Sequence, residues 1–192
     1  ITESTKRHRI LKKLVTRNLS LPEMNYDETL NLITKLLAEP DLTTENRTWA
    51  IAKQAELRLE QGFTNEAIDR LLVDIQRLRL SGITEYPELY FLLGRGYYDL
   101  GELVKAREHL EQAQQALPAD DNLRGFSLYL LGRIAQRQVE YEEAFAFYNT
   151  VINDFINEKP YLPSLMGRTE IYAHMELYSE SIKDANTLVT IL

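Results

Sequence analysis

Tyr90-Phe91-Leu92-Leu93-Gly94-Arg95-Gly96-Tyr97 opens the segment that decides the fold of this chain. Large and small apolar residues alternate in it, and the same alternation continues through Ala106, Leu110 and Ala113 to Pro118. Apolar residues at intervals of three and four predict one buried face on each of two consecutive helices. A short loop separates the two predicted helices, so we expect them to pack as an antiparallel pair.

Related patterns recur along the chain at a spacing of 37 to 39 residues. Each has a small residue early in its second helix, and these residues are Thr29, Ala67, Ala106, Ala144 and Ser181. The first helices share a second column, in which Gly94, Gly132 and Gly167 align with Ala55. Because Gly costs a helix about 1 kcal/mol relative to Ala, its recurrence indicates close helix contact. Self-similarity at a fixed period predicts an all-α helical repeat array.

The breakers between the periodic segments give the predicted helices. Pro22, Pro40, Gly82, Pro118 and Pro160 fall between them, and Asp41 or Thr43-Thr44 are candidate caps for the third helix. One residue departs from the apolar pattern, since Asp74 replaces an apolar residue in the second repeat. The predicted helices are about 5–18, 26–38, 44–61, 64–80, 86–100, 103–117, 123–139, 141–157, 161–176 and 178–191.

The pattern resembles the tetratricopeptide repeat family, which residues 87–120 match most fully through Tyr90, Leu93, Gly94, Tyr97, Gly101, Ala106, Leu110, Ala113 and Pro118. The resemblance implies a right-handed superhelix of about five antiparallel helix pairs, with first helices lining a concave face. The pairs would be 5–40, 44–81, 86–120, 123–158 and 161–192 within one solenoid, 1–192. Two features depart from the family: the period exceeds its usual length of about 34 residues, and Gly167 and Ser181 imply registers that differ by two.

Composition excludes several classes of protein. Residues 1–20 carry six Lys and Arg against Glu3, a net +5, so the remainder carries −12 of the total −7. An acidic body argues against nucleic-acid binding. The chain has no Cys, and no apolar run approaches the roughly 20 residues of a membrane span. We expect a soluble chain, cytoplasmic or periplasmic, and the composition leaves the compartment open.

No motif points to catalysis. His8, His109 and His174 lie too far apart in sequence to form a helical metal pair. Gly94-Arg95-Gly96 lacks the third Gly and the preceding strand of a dinucleotide site. No nucleophile elbow or phosphate loop occurs. We therefore expect no enzyme activity, no metal and no cofactor.

One set of residues suggests binding. In the family's pattern the residue after the recurring Gly faces the concave groove, and here it is Arg95, Arg133 or Arg168. The same register adds Phe91, Tyr98, Phe126, Tyr129 and Arg137. These side chains predict a groove for acidic groups of a protein or peptide. In the alternative, Arg95 pairs with Glu88 or Asp99, Arg168 pairs with Glu170 or Glu176, and the rings fill gaps between repeats. The family's Lys and Asn residues that hold chaperone tails are absent.

The basic start has two interpretations. Ile10, Leu11, Leu14 and Val15 form an apolar stripe beside Lys12, Lys13 and Arg17. In one interpretation the stripe contacts anionic lipid or an acidic partner. In the other it packs as the first repeat helix. We expect no membrane contact from any other part of the chain. We favour packing on Leu30, Ile33 and Leu37, because the first repeat needs that stripe.

The repeat array predicts a non-catalytic scaffold or adaptor that holds a partner within a larger assembly. One alternative is a structural, self-associating array that uses its helical ends, since the apolar run Leu188–Leu192 has no polar cap. Another is a regulatory input domain fused to a catalytic module. Because the chain stops inside the last predicted helix, we expect it to be part of a longer one.

Overall fold

The computed structural model describes residues 3–191, and these residues form ten α-helices. Among them, no helix has both the length and the apolarity that crossing a membrane requires. The chain divides into two compact units, Ile1–Leu92 (unit 1) and Leu93–Leu192 (unit 2). The helices are α1 (Glu3–Leu19), α2 (Tyr26–Leu37), α3 (Thr44–Glu60), α4 (Thr64–Leu80), α5 (Pro87–Asp99), α6 (Leu103–Ala116), α7 (Asn122–Arg137), α8 (Tyr141–Asp154), α9 (Tyr161–His174) and α10 (Tyr178–Ile191).

Every predicted helix is present, and the largest error in a boundary is at the end of α8. The sequence predicted a helix to residue 157, but α8 ends at Asp154. Phe155 leaves the helical conformation (φ −123°, ψ 41°) and is 3% exposed, packed with Leu128 and Val151. Burial of this ring therefore ends the helix one turn before the predicted boundary.

In unit 1 successive helices pack as α1–α2, α2–α3 and α3–α4. Thr29 and Ala67 of the small-residue column are completely buried. Of the two candidate caps for α3, Thr43 takes the role, and its hydroxyl accepts a hydrogen bond from the Asn46 amide. Asp41 instead lies in the loop with a φ of 56°.

Helix α1 packs as the first helix of a repeat. Val15 is fully buried in a cluster with Ile33 and Leu36, and Leu11 packs against it. The expected packing is thus confirmed for one side of the stripe. Ile10 and Leu14, on the other side, are exposed.

In unit 2 the recurring glycines allow close helix contact, as their column predicted. A Cβ built on Gly94 would lie 2.6 Å from the Leu110 side chain, sixteen residues later in the chain. A Cβ on Gly132 would lie 2.6 Å from the ring of Tyr148, again sixteen residues later. Any side chain at either position would therefore collide with the partner helix of the same pair.

The last pair differs, which accounts for its mismatched register. A Cβ on Gly167 would lie 2.5 Å from Tyr148 of the preceding pair. The corresponding residue of its own pair, Lys183, is exposed. Ser181 is half-buried and donates a hydrogen bond to the Thr169 carbonyl. Since Gly167 fits the preceding helix, its spacing to Ser181 need not follow the other pairs.

Candidate functional site

A polar and aromatic surface lies on the first helices of unit 2. Four of its side chains lie on one face of α7, because Arg133, Gln136 and Arg137 follow Tyr129 by four, seven and eight residues. The second half of α5 adds Tyr98, and α9 adds Glu170. We call these six residues the first-helix patch.

Tyr98 lies beside two arginines of α7, Arg133 and Arg137. Burial lowers the pKa of the Arg133 guanidinium, but the nearby Tyr98 side chain and other groups raise it above its ordinary value. The guanidinium carbon of Arg137 lies 4.4 Å from the Tyr98 ring centroid. A guanidinium stacked on a ring is attracted to the π-system and keeps its in-plane N–H groups for other acceptors. Arg133 is half-buried and Arg137 is exposed. The geometry thus presents two oriented guanidinium groups on one surface.

A chain of hydrogen bonds fixes the rest of the patch. The hydroxyl of the buried Tyr148 donates to Gln136 Oε1 at 2.8 Å, and Gln136 Nε2 donates to Glu170 Oε2 at 2.8 Å. The Tyr129 and Tyr148 ring centroids are 6.3 Å apart. Burial raises the pKa of both phenols above its ordinary value, and the nearby Arg133 partly offsets the rise. Both tyrosines therefore stay neutral at physiological pH.

Arg168 lies apart from this arrangement, bound to neighbouring helices. Its Nε and Nη2 donate to the two carboxylate oxygens of Asp184 at 2.7 and 2.8 Å, and its Nη1 donates to Asn149. Internal pairing was one of the two interpretations of this residue, but the partners suggested for it, Glu170 and Glu176, are not the ones observed. Asp184 was missed because nothing in the sequence distinguishes a buried carboxylate on α10 from a solvated one.

The remaining predicted site residues have mixed environments. Partial desolvation raises the pKa of Asp99, and the charge of the half-buried Arg95 partly offsets the rise. Asp99, one of the two suggested partners of Arg95, is thus its electrostatic neighbour. Phe91 is 6% exposed, so its ring offers little surface to a ligand, while Phe126 is half-buried.

Apolar side chains remain exposed on α10. Tyr178, Ile182 and Val189 are 61%, 59% and 77% exposed. Ile182 and Val189 follow Tyr178 by four and eleven residues, which puts all three on one helical face. Leu188 packs against the core of unit 2, and Leu192, at the end of the predicted uncapped run, lies outside the described residues.

Comparison with known proteins supports the same fold. The profile of the tetratricopeptide repeat family matches residues 87–120. No curated protein matches the chain. Solved structures do match, including MamA from Desulfovibrio magneticus RS-1, at 13% identity and a TM-score of 0.70, over 96% of this chain and 94% of that one.

Two further structures match over nearly the whole chain. A tetratricopeptide repeat protein from Parabacteroides merdae has 16% identity and a TM-score of 0.68, over 96% of this chain and 66% of its own. BtubC from P. vanneervenii has 10% identity and a TM-score of 0.75, over 100% and 91%. At these identities the likeness concerns the fold.

The predicted fold class, an all-α array of tetratricopeptide-like helix pairs, is confirmed by the ten helices and by these matches. Repeats of this kind typically form non-catalytic surfaces that bind other proteins. Three observations support the helical-repeat fold: the matched segment at residues 87–120, the recurring glycine contacts and the similar solved structures. Residues 87–120 thus match the tetratricopeptide repeat family, and the chain has the helical-repeat fold of the solved structures that it matches.

Proposed function

We propose that this protein is a non-catalytic scaffold that binds an acidic segment of a partner protein across the first-helix patch. The observation that carries the proposal is the placement of Arg133 and Arg137 beside Tyr98, with the guanidinium carbon of Arg137 4.4 Å from the ring centroid. In the tetratricopeptide pattern these positions belong to the concave side.

The chemistry of the patch favours carboxylates on the ligand. Guanidinium groups bind carboxylates through paired N–H donors, and arginines already held by a neighbour lose less entropy on binding. Tyr98 and Tyr129 add rigid aromatic surface for apolar side chains of the same segment. Glu170 closes one side of the patch through Gln136. The ligand should therefore place its acidic groups near α5 and α7 rather than near α9.

Arg95 is a further candidate contact, because it lies one turn before Tyr98 on α5. We leave Arg168 out of the proposed contact surface, since its guanidinium is already bonded to Asp184 and Asn149.

Capture of partners from native lysate tests the proposal. The variant Arg133→Gln/Arg137→Gln should lose the proteins that the unmodified chain retains, because it removes both oriented cations. The control Lys159→Gln/Lys183→Gln removes the same charge from exposed positions of unit 2 and should retain them. Equal retention by the arginine variant, with an unchanged helical circular dichroism spectrum, would count against the patch.

A second candidate function rests on the exposed face of α10. Tyr178, Ile182 and Val189 offer an apolar strip of the kind that buries against another helix. On this view the protein is a self-associating structural array. Sedimentation should then show association that Ile182→Lys/Val189→Lys abolishes, whereas a monomer at high concentration would exclude it.

A further inference from the structure

Unit 1 buries a carboxylate where the other repeats bury apolar side chains. Asp74 lies seven residues after the small residue of its repeat and is 5% exposed. A buried carboxylate is costly unless charged or polar groups bind it. Its presence therefore requires an explanation beyond packing. The residues at the same register in α2, α6 and α8 are buried and apolar: Leu36, Ala113 and Val151.

Asp74 holds two arginines of its own helix. Arg70 Nε donates to Oδ2 at 2.9 Å, and Arg77 Nη1 donates to Oδ1 at 3.3 Å. The Asp74 side chain is 6% exposed, whereas those of Arg70 and Arg77 are 49% and 65% exposed. Each of these bonds uses one of the three nitrogens of a guanidinium group. The carboxylate thus orients two cations that still have donors for an external acceptor.

A cavity of about 460 Å³ adjoins these groups within unit 1. Arg47 also lines it and donates to the Leu37 carbonyl at 3.4 Å. The lining also includes two half-buried apolar side chains, Leu37 and Ile83. Three arginines and one aspartate give the cavity a formal charge of +2 in a chain whose total is −7.

We propose that this cavity binds a small organic dianion, a phosphate monoester or a dicarboxylate with an apolar body. Its volume falls within the range of about 300–1,000 Å³ typical of small-molecule sites. Guanidinium groups match phosphate and carboxylate oxygens in pairs, and a dianion balances the charge of the site. The apolar body lies against Leu37 and Ile83. Asp74 acts as a positioning residue, and this site is separate from the first-helix patch in residues and in ligand class.

Titration of the full chain with phenyl phosphate and with phthalate tests the proposal, since both carry an aromatic ring and two negative charges. Backbone amide shifts in two-dimensional NMR should change at residues 44–51 and 70–83 and saturate. The two probes separate the sources, because a site built for phosphate binds phenyl phosphate more tightly and a site built for carboxylates binds phthalate.

Single variants provide the control. Arg77→Gln leaves Arg70 to pair with Asp74, and Arg47→Gln leaves both Asp74 bonds, so each should fold and bind the preferred probe at least about tenfold more weakly. Lys35→Gln removes an exposed charge on α2 outside the cavity and should change affinity little. The proposal is overturned if neither probe saturates by about 10 mM, if shifts map elsewhere, or if Arg77→Gln and Arg47→Gln bind like Lys35→Gln.

Discussion

Tyr148 shows how one residue sets the spacing of unit 2. Its ring occupies the space beside Gly132 and Gly167, and its hydroxyl reaches Gln136. The Gly column was visible in the sequence, and so was its explanation as close contact. The sequence did not indicate that the Tyr148 ring packs against both glycines. The contact with Gly167 lies between neighbouring helix pairs, which the spacing within one pair does not reveal.

Substitution of Gly132 by Ala should destabilise the protein. The added methyl group would meet the Tyr148 ring, and overpacking of this kind costs about 1–3 kcal/mol, partly offset by the helix propensity of Ala. Urea unfolding should show a net loss of about 1 kcal/mol. In a Tyr148→Leu background the same substitution should cost less, and an equal cost in both backgrounds would contradict the contact.

Val139 occupies a left-handed position at the end of α7. Its φ is 65°, and the following Glu140 amide donates to the Ala135 carbonyl at 2.9 Å. The corresponding residue after α5 is Gly101, with a φ of 78°. A left-handed conformation costs an L-residue about 1–2 kcal/mol, and a β-branched side chain is especially unsuited to it.

Replacement of Val139 by Gly should therefore stabilise the protein by about 0.5–1 kcal/mol, after allowing for the greater freedom of Gly in the unfolded chain. Little burial is lost, because Val139 is 65% exposed. Thermal unfolding measures the gain. Gly101→Val provides the reciprocal test and should lower the melting temperature; stabilisation by both changes would refute the explanation.

At the scale of helices, the ion pair between Arg168 and Asp184 attaches α10 to α9. The two side chains are only 16% and 11% exposed. Removal of one member of a largely buried pair leaves a charge without its partner, which costs about 3 kcal/mol. Asp184→Ala should show a loss of that size in urea unfolding. Arg168→Met/Asp184→Leu should recover much of it, and a double variant no more stable than Asp184→Ala would contradict the account.

The stability of the fold should also fall at alkaline pH, because of the buried tyrosines of α7 and α8. The folded state raises the pKa of Tyr129 and Tyr148, chiefly by burial. A raised pKa means that the folded state keeps its protons where the unfolded state loses them, so stability is complete below pH 10 and falls above it. Unfolding measured between pH 8 and about 11.5 should show this loss. It should be smaller for Tyr148→Phe, and an identical pH dependence would argue against the buried phenol.

The elements themselves were largely predictable from the sequence. Period, breakers and the small-residue column located every helix to within about one turn, because local spacing fixes a helical face. Side-chain partners were less predictable. Asp74 and Asp184 bind arginines in the folded chain, yet a carboxylate on a helix gives the same sequence pattern whether it is buried or solvated.

For the whole molecule, the fold was indicated by the tetratricopeptide resemblance and confirmed, whereas the proposed contact surface was predicted only as a register. The register placed Tyr98, Tyr129, Arg133 and Arg137 on one side, and the structure gives them a common patch. The register could not show that Arg168 is bonded to Asp184 of α10, because that bond depends on how neighbouring helices pack.

The most direct measurement of the central claim is peptide selection from a random display library, followed by titration of the selected peptides. Selected sequences should be rich in Asp and Glu with an apolar or aromatic neighbour. Their affinity should fall at least about tenfold for Arg133→Gln/Arg137→Gln and weaken with salt, but should change little for Lys159→Gln/Lys183→Gln. Selection of peptides without acidic residues, or equal affinity for both variants, would contradict the account.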